Sequence, residues 1–165
     1  MPSVLFICTA NICRSPLAFG LFKHKIENEP EPSFWKVDSA GTWAPEGEPA
    51  SSKSQLLLEQ KGIDIHNHRS KSVSLGLLRS HNLVLTMEHG HKEALQSEFP
   101  ELKNRIFMLS EMIGQRYDIQ DPYNGALEDY LRAMEEIERI LDLGFEKIRS
   151  LARDQSSHSV SEGEA

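Results

Sequence analysis

The chain has only two cysteines, Cys8 and Cys13, in 165 residues. That scarcity excludes a disulfide-stapled secreted scaffold and makes a reducing, cytoplasmic setting the expectation. No apolar run reaches the ~18 residues that a bilayer-spanning helix needs, so membrane insertion is not expected. The opening Met-Pro-Ser-Val-Leu-Phe-Ile lacks the basic region and long apolar stretch of a secretory signal. Basic charge is also short, with 18 Lys and Arg against 25 Asp and Glu for a net charge of −7. Nucleic acid and anionic membranes select basic surfaces, so neither is expected as the main partner, although a local basic pocket can sit in an acidic protein. There is no Gly-x-x-x-x-Gly-Lys-Ser/Thr run, which excludes a nucleotide-binding P-loop. No internal repeat or linker divides the chain, and 39% hydrophobic with 26% charged residues suits one globular domain.

What is present alternates. Val4 to Ile7 is a short β-branched and aromatic run, read as a buried strand, and it breaks at Cys8–Ser15. Ser15-Pro16 reads as a helix cap with proline at the first helical position, and the apolar spacing continues to about Asn28. Phe34–Ala40 reads as a second strand closed by Gly41, residues 42–51 as a loop, and Ser52–Lys61 as a helix ended by Gly62. Asn82–Met87 and Arg105–Leu109 read as further strands, with a helix over Lys92–Phe99 between them. Leu127, Leu131, Met134, Ile137, Leu141, Phe145, Ile148 and Leu151 form one apolar stripe on a long last helix, which Gly144 loosens. Beyond it, residues 153–165 read as a disordered polar tail, leaving residues 1–152 as the domain. Strands alternating with helices imply right-handed crossovers, so the expected fold class is α/β with a parallel sheet covered on both faces.

The chemistry concentrates in Cys8-Thr9-Ala10-Asn11-Ile12-Cys13-Arg14-Ser15-Pro16, between the first strand and first helix. Open α/β sheets bind ligands at such turns. A loop feeding a helix N-terminus aims backbone N–H groups at one point under a favourable dipole, which makes an anion site. Cys8 at the strand end would form its floor, where the same field favours thiolate over thiol. Arg14 offers a planar fork for two oxygens of a phosphoryl group. Ser15 can donate to the sulfur, and Asn11 suits the left-handed backbone of a tight loop. The bland alternative is a buried core thiol at Cys8. A zinc site made of Cys8 and Cys13 would need two more ligands, for which only His89 and His91 present themselves, and no metal is expected.

Cleaving a phosphate ester also needs a proton donor for the leaving oxygen and a base for water. Asp121, in the rigid turn Asp121-Pro122-Tyr123-Asn124-Gly125, is the candidate, with Asp118 and Asp129 as neighbouring competitors. Taken alone, Asp121 reads more readily as a turn-stabilising residue.

Three motifs then coincide: the Cys8–Pro16 loop after an apolar strand, Ser39-Ala40-Gly41-Thr42, and Asp121-Pro122-Tyr123 before a C-terminal helix. In this order and spacing, from about Ser3 to about Leu151, the chain resembles the low-molecular-weight protein tyrosine phosphatases. The resemblance implies a four-stranded parallel, Rossmann-like sheet with helices on both sides, and a protein substrate carrying phosphotyrosine, without a cofactor. It makes Cys8 the nucleophile, Arg14 the phosphate-binding arginine and Asp121 the general acid. Thr9, Ala10, Asn11, Ile12, Cys13 and Ser15 then form the phosphate-binding loop, and Ser39 and His68 join Asn11 and Ser15 in supporting it. Ile12 would face the substrate, and Trp43 and Tyr123 would wall a phenyl ring, with a partly buried loop aromatic as the alternative for Trp43. A monomer is the default.

Some positions depart from the family pattern. Ala10 stands where glycine is common, which costs roughly 1 kcal/mol if that residue needs positive φ. The loop after Thr42 lacks an Asp-x-Arg ending, Lys71 replaces an arginine, and Met87-Glu88 replaces a Met-Asp pair. Protein arginine phosphatases of this fold tend to carry threonine at the position of Ile12, so Ile12 leans toward phosphotyrosine. Thiol-coupled arsenate reductases use further downstream cysteines, and none follows Cys13. An inactive phosphoprotein-binding module is the remaining alternative. Cys13, five residues from Cys8, either pairs with it in a protective disulfide or fills the loop.

Overall fold

The structure is a computed structural model describing residues 1–30 and 34–153. The tail expected from residue 153 onward therefore lies almost wholly outside the described residues. Four parallel strands, β1 (Ser3–Cys8), β2 (Lys36–Gly41), β3 (Leu83–Thr86) and β4 (Ile106–Met108), form one sheet in the order β2-β1-β3-β4. The helices are α1 (Arg14–Glu27), α2 (Ser52–Glu59), α3 (Leu75–Arg79), α4 (His89–Glu98), α5 (Leu127–Leu143) and α6 (Phe145–Ala152).

Period-two alternation along β1 builds two cores at once. Val4, Phe6 and Cys8 enter the larger core with Leu17, Phe22, Leu58, Ile137, Ile140 and Ile148 from α1, α2, α5 and α6. Leu5 and Ile7 enter the smaller core with Leu78 of α3, Leu95 of α4, and Leu102 and Ile106. Every residue of β1 is buried, which explains why its sequence is a continuous apolar run and does not alternate. The chain leaves β1 for β2 on one side and later returns to β3 on the other, so the carboxyl end of β1 is the sheet's switch point.

Several local expectations are corrected. Helix α1 starts at Arg14 with Cys13 as its N-cap, so Ser15 lies inside the first turn and is not the cap. The reason is a stronger attraction elsewhere, since the Ser15 hydroxyl is taken by Cys8 and Asn11. Helix α4 begins at His89, earlier than the apolar spacing indicates, because His91 caps it through the Glu88 N–H. Helix α3, unanticipated, is one short turn capped by Ser74. The long last helix is two helices, separated at Gly144, where an added Cβ would stand 2.8 Å from the Met112 backbone oxygen. Leu127 and Leu131, expected in the stripe, are exposed; Tyr130 and Ala133 take the buried face.

Candidate active site

The loop after β1 is shaped by what its carbonyls do. The Thr9 carbonyl accepts from the Trp43 N–H at 3.0 Å, the Asn11 carbonyl from His68 Nε2–H at 2.7 Å, and the Ile12 carbonyl from the Ser51 N–H at 2.8 Å. The Cys13 carbonyl accepts from the Ser54 hydroxyl at 3.3 Å. With these oxygens committed outward, the loop amides are the groups left for an anion. Asn11 makes the turn possible: its φ is 59°, the left-handed conformation that asparagine tolerates. Ala10 is not among the positive-φ residues, so the strain expected from alanine there does not arise. Gly41 is needed for close approach, because a Cβ there would lie 2.3 Å from the Thr9 carbonyl oxygen.

Asn11 also ties the loop together through its side chain. Its amide donates to Ser15 Oγ at 2.8 Å and to Ser39 Oγ at 3.0 Å, while its Oδ1 accepts from the Lys71 N–H at 3.1 Å. Ser15 Oγ in turn lies 2.9 Å from Cys8 Sγ. Having received from Asn11, the hydroxyl has its own proton to give to the sulfur. His68 is held neutral by burial, which lowers its pKa and leaves Nε2–H to brace the Asn11 carbonyl.

Arg14 is 1% exposed, an arginine placed in the core. A buried guanidinium must be paired. Its Nη1 donates to Glu88 Oε2 and to the Ile119 carbonyl, each at 2.6 Å, and its Nη2 lies 3.5 Å from Asp121 Oδ2. Its Nε has no hydrogen-bond partner among the described residues, so one donor of the fork is uncommitted. Glu88 lies two residues beyond β3, and β3 runs beside β1; that neighbourhood brings its carboxylate to the arginine.

Asp121 both holds its turn and reaches the cleft. Its Oδ1 accepts from the Tyr123 N–H at 3.1 Å and fixes the turn, while Oδ2 faces Arg14. Its two competitors are engaged elsewhere: Asp118 accepts from the His89 N–H, and Asp129 caps α5 at Ala126. Lys53 of α2 holds the same turn from below, donating to the Gly125 carbonyl at 2.9 Å with its ammonium 5.5 Å from the Tyr130 ring.

These groups surround one cleft of about 310 Å³, lined by Cys8, Thr9, Ala10, Ile12, Cys13, Arg14, Trp43, Pro45, Asp121 and Tyr123. Trp43 is 85% exposed and Tyr123 60%, so both stand at the mouth, and the partly buried alternative for Trp43 does not hold. A larger, polar cleft of about 470 Å³ lies behind the Asp121 turn and lacks the cysteine. Cys13, at the end of the loop, turns its sulfur to the Tyr130 hydroxyl at 3.6 Å, and burial raises its pKa, which favours the thiol. Sequence reasoning did not find the roles of Glu88, Ser51, Ser54, Pro45 and Lys53. Glu88 carried no local signal, because its place beside Arg14 depends on β3 lying next to β1.

This fold and cleft define a phosphate-ester hydrolase class, and the comparisons with known proteins agree. Residues 3–156 match the model of the family described as low molecular weight phosphotyrosine protein phosphatase. The chain is 38% identical over 148 residues to a protein-arginine-phosphatase of Geobacillus stearothermophilus, covering 89% of this chain and 96% of that one. It is 34% identical over 149 residues to a probable low molecular weight protein-tyrosine-phosphatase of Ralstonia nicotianae, covering 90% and 97%. Among solved structures, a low molecular weight protein tyrosine phosphatase from T. tengcongensis superposes with TM-score 0.84 at 42% identity, covering 89% of this chain and 99% of that one. The arginine phosphatase YwlE from Geobacillus stearothermophilus superposes with TM-score 0.82 at 36% identity, covering 96% and 97%. The chain belongs to the low molecular weight phosphotyrosine protein phosphatase family. It is a hydrolase, of a family that acts on phosphoprotein substrates.

Proposed function

We propose that this protein is a cysteine-dependent phosphotyrosine phosphatase of the cytoplasm, acting as a monomer through a cysteinyl-phosphate intermediate. The observation that carries the reading is one cleft holding Cys8, Arg14 and Asp121 under an exposed Trp43 and Tyr123. The aromatic mouth suits a phenyl ring, and the buried floor suits its phosphate.

In the first step the Cys8 thiolate attacks phosphorus in line with the phenolic oxygen. The S–P bond forms as the P–O bond breaks, and protonated Asp121 gives its proton to the departing oxygen. Loop amides and the Arg14 fork hold the equatorial oxygens as charge spreads over them. In the second step the Asp121 carboxylate takes a proton from water, whose oxygen displaces the thiolate and releases inorganic phosphate. Ser15, 2.9 Å from the sulfur, stabilises it as nucleophile and as leaving group. No step calls on a metal or organic cofactor.

A second reading keeps this chemistry and changes the substrate to phosphoarginine. It is favoured by the relatives named protein-arginine-phosphatase. Against it stands Ile12, an apolar side chain lining the cleft, where a threonine hydroxyl would help orient water. The deciding experiment is hydrolysis of p-nitrophenyl phosphate, a phosphotyrosine peptide and phosphoarginine by wild type and Cys8→Ser in EDTA. Aryl phosphates are expected to be hydrolysed by wild type alone. Preference for phosphoarginine would move the substrate class, and no turnover by a folded wild type would sink the reading in favour of a binding module.

A further inference from the structure

Two side chains that the mechanism leaves idle meet the cradle from the start of α4, His91 in its first turn and Glu88 at its cap. The Glu88 N–H lies 3.2 Å from His91 Nδ1. A backbone N–H can only donate, so Nδ1 is the acceptor and the ring proton sits on Nε2. That Nε2–H points at Thr9 Oγ1, 2.9 Å away, on the residue next to Cys8. The ring is 7% exposed, and Glu88, whose N–H it caps, is the residue whose carboxylate grips Arg14 at 2.6 Å.

We infer that His91 is a positioning residue of the phosphate cradle, holding Thr9 on one side and, through Glu88, the Arg14 guanidinium on the other. The inference rests on the phosphatase reading above for its consequence but is carried by this geometry. Neutrality of the ring is part of the device. Glu88 Oε2 is 2.6 Å from Arg14 Nη1 and 3.7 Å from His91 Nε2, so a charged imidazole would compete with Arg14 for one oxygen. Protonation would also place a hydrogen on Nδ1, against the Glu88 N–H it now receives. Burial disfavours that charge, and Arg14 disfavours it too; the charges that favour it are Glu88, Asp118 and Asp121. Acid is therefore expected to loosen Thr9, Glu88 and the start of α4 together, and the anion affinity of the loop with them.

The test reads anion binding, so it does not depend on turnover. Inorganic sulfate, whose charge is constant across the range, is titrated against full-length wild type, His91→Ala, His91→Gln and Thr9→Val, following the loop amides by NMR. Gln at this helix position can accept the Glu88 N–H and donate to Thr9, and it cannot titrate. At about pH 7.5, His91→Ala should bind sulfate about tenfold more weakly, the size of a lost bond network to a charged group. His91→Gln should stay near wild type. Thr9→Val, which breaks the same bond from the loop side if His91→Ala fails to fold, should weaken binding severalfold. Between about pH 7.5 and about pH 5, spanning the ordinary imidazole range, wild type should lose affinity relative to His91→Gln. Nitrogen spectra should show the Nε2–H tautomer.

Unchanged sulfate affinity in both His91→Ala and Thr9→Val, equal pH profiles for wild type and His91→Gln, or an Nδ1–H tautomer would overturn the inference. Turnover of p-nitrophenyl phosphate by wild type, run alongside, separates the two claims. Sulfate bound without turnover retires the catalytic reading and leaves the His91 comparison standing. Turnover by a wild type that binds no sulfate overturns the inference and leaves the catalytic reading standing, and a wild type with neither retires both.

Discussion

The floor of the cleft and its mouth are built on opposite principles. On the floor, Asn11, Arg14 and Ser15 are buried polar groups, bonded to partners drawn from β1, β2, α1, the segment before α3 and the segments that follow β3 and β4. At the mouth, Trp43 and Tyr123 stand in solvent, and Asp121 is half-exposed between the two zones. Buried polar networks are costly when incomplete, so the floor has one geometry and tolerates little change. An exposed rim can change without disturbing the fold, which is where substrate choice can vary among relatives named for different substrates. The difference predicts a gradient: substitutions should cost less, and cost substrate binding before chemistry, as they move from floor to mouth.

The steepest test is Arg14→Lys. Lysine keeps the charge but loses the planar fork, and its ammonium cannot reach Glu88, Ile119 and the phosphoryl oxygens together. kcat on p-nitrophenyl phosphate should fall about 10³-fold, near the upper end for losing a preorganised oxyanion donor. Near-normal turnover would break the claim that the floor is rigid. Asp121→Asn comes next, with about a 10²-fold loss on phosphotyrosine, the lower end for general acid catalysis. The loss should be smaller on p-nitrophenyl phosphate, whose leaving group needs little protonation. Equal losses on both substrates would assign Asp121 to the turn alone, through its bond from the Tyr123 N–H.

Asn11 separates backbone from side chain on the floor. Asn11→Ala loses the bonds to Ser15, Ser39 and the Lys71 N–H and also strains a residue at φ 59°; about 2–3 kcal/mol of unfolding free energy is the expected loss. Asn11→Gly relieves the strain and should recover about 1 kcal/mol of it. Urea unfolding of the two variants checks the split, and identical midpoints would remove the role given to the left-handed turn.

Much of this contrast was legible in the sequence, because it is local. The buried run Val4–Ile7, the turn, Asn11 and the helix after it are neighbours in the chain, and turn chemistry names them directly. What failed was local preference overridden by a distant partner. Ser15 looks like a cap until Cys8 and Asn11 take its hydroxyl. Leu127 and Leu131 look buried until packing against α1 and α2 rotates Tyr130 and Ala133 inward. Gly144 looks like a loosened turn until Met112 is seen pressed against it. The Arg14–Glu88 pair was out of reach because it depends on strand order: only a sheet with β3 beside β1 brings Glu88 to the arginine.

Acid stability extends the comparison beyond the cleft. Burial lowers the pKa of His68 and His91, which brace the loop, and of His81, which lies away from it. The folded protein refuses protons that the unfolded chain accepts below about pH 6.5, so stability is full above that value and is lost as pH falls toward the lowered folded values. Urea unfolding should show this loss before carboxylates begin to protonate. A flat profile from about pH 7.5 to about pH 5.5 would mean that the three imidazoles are charged at no cost in the fold.

Trp43→Ala should have the smallest effect, and it tests the other end of the gradient. The indole is 85% exposed, so truncation leaves no cavity, and unfolding free energy should move by less than about 0.5 kcal/mol. Its contribution is to a bound ring: an aromatic pair is worth ~0.5–1.5 kcal/mol, so KM for a phosphotyrosine peptide should rise about two- to tenfold. The Trp43 N–H, which fixes the Thr9 carbonyl, belongs to the backbone and survives the change, so kcat should hold. A fall in kcat with KM unchanged would show that the side chain shapes the loop and not the substrate, and that mouth and floor are one mechanical unit.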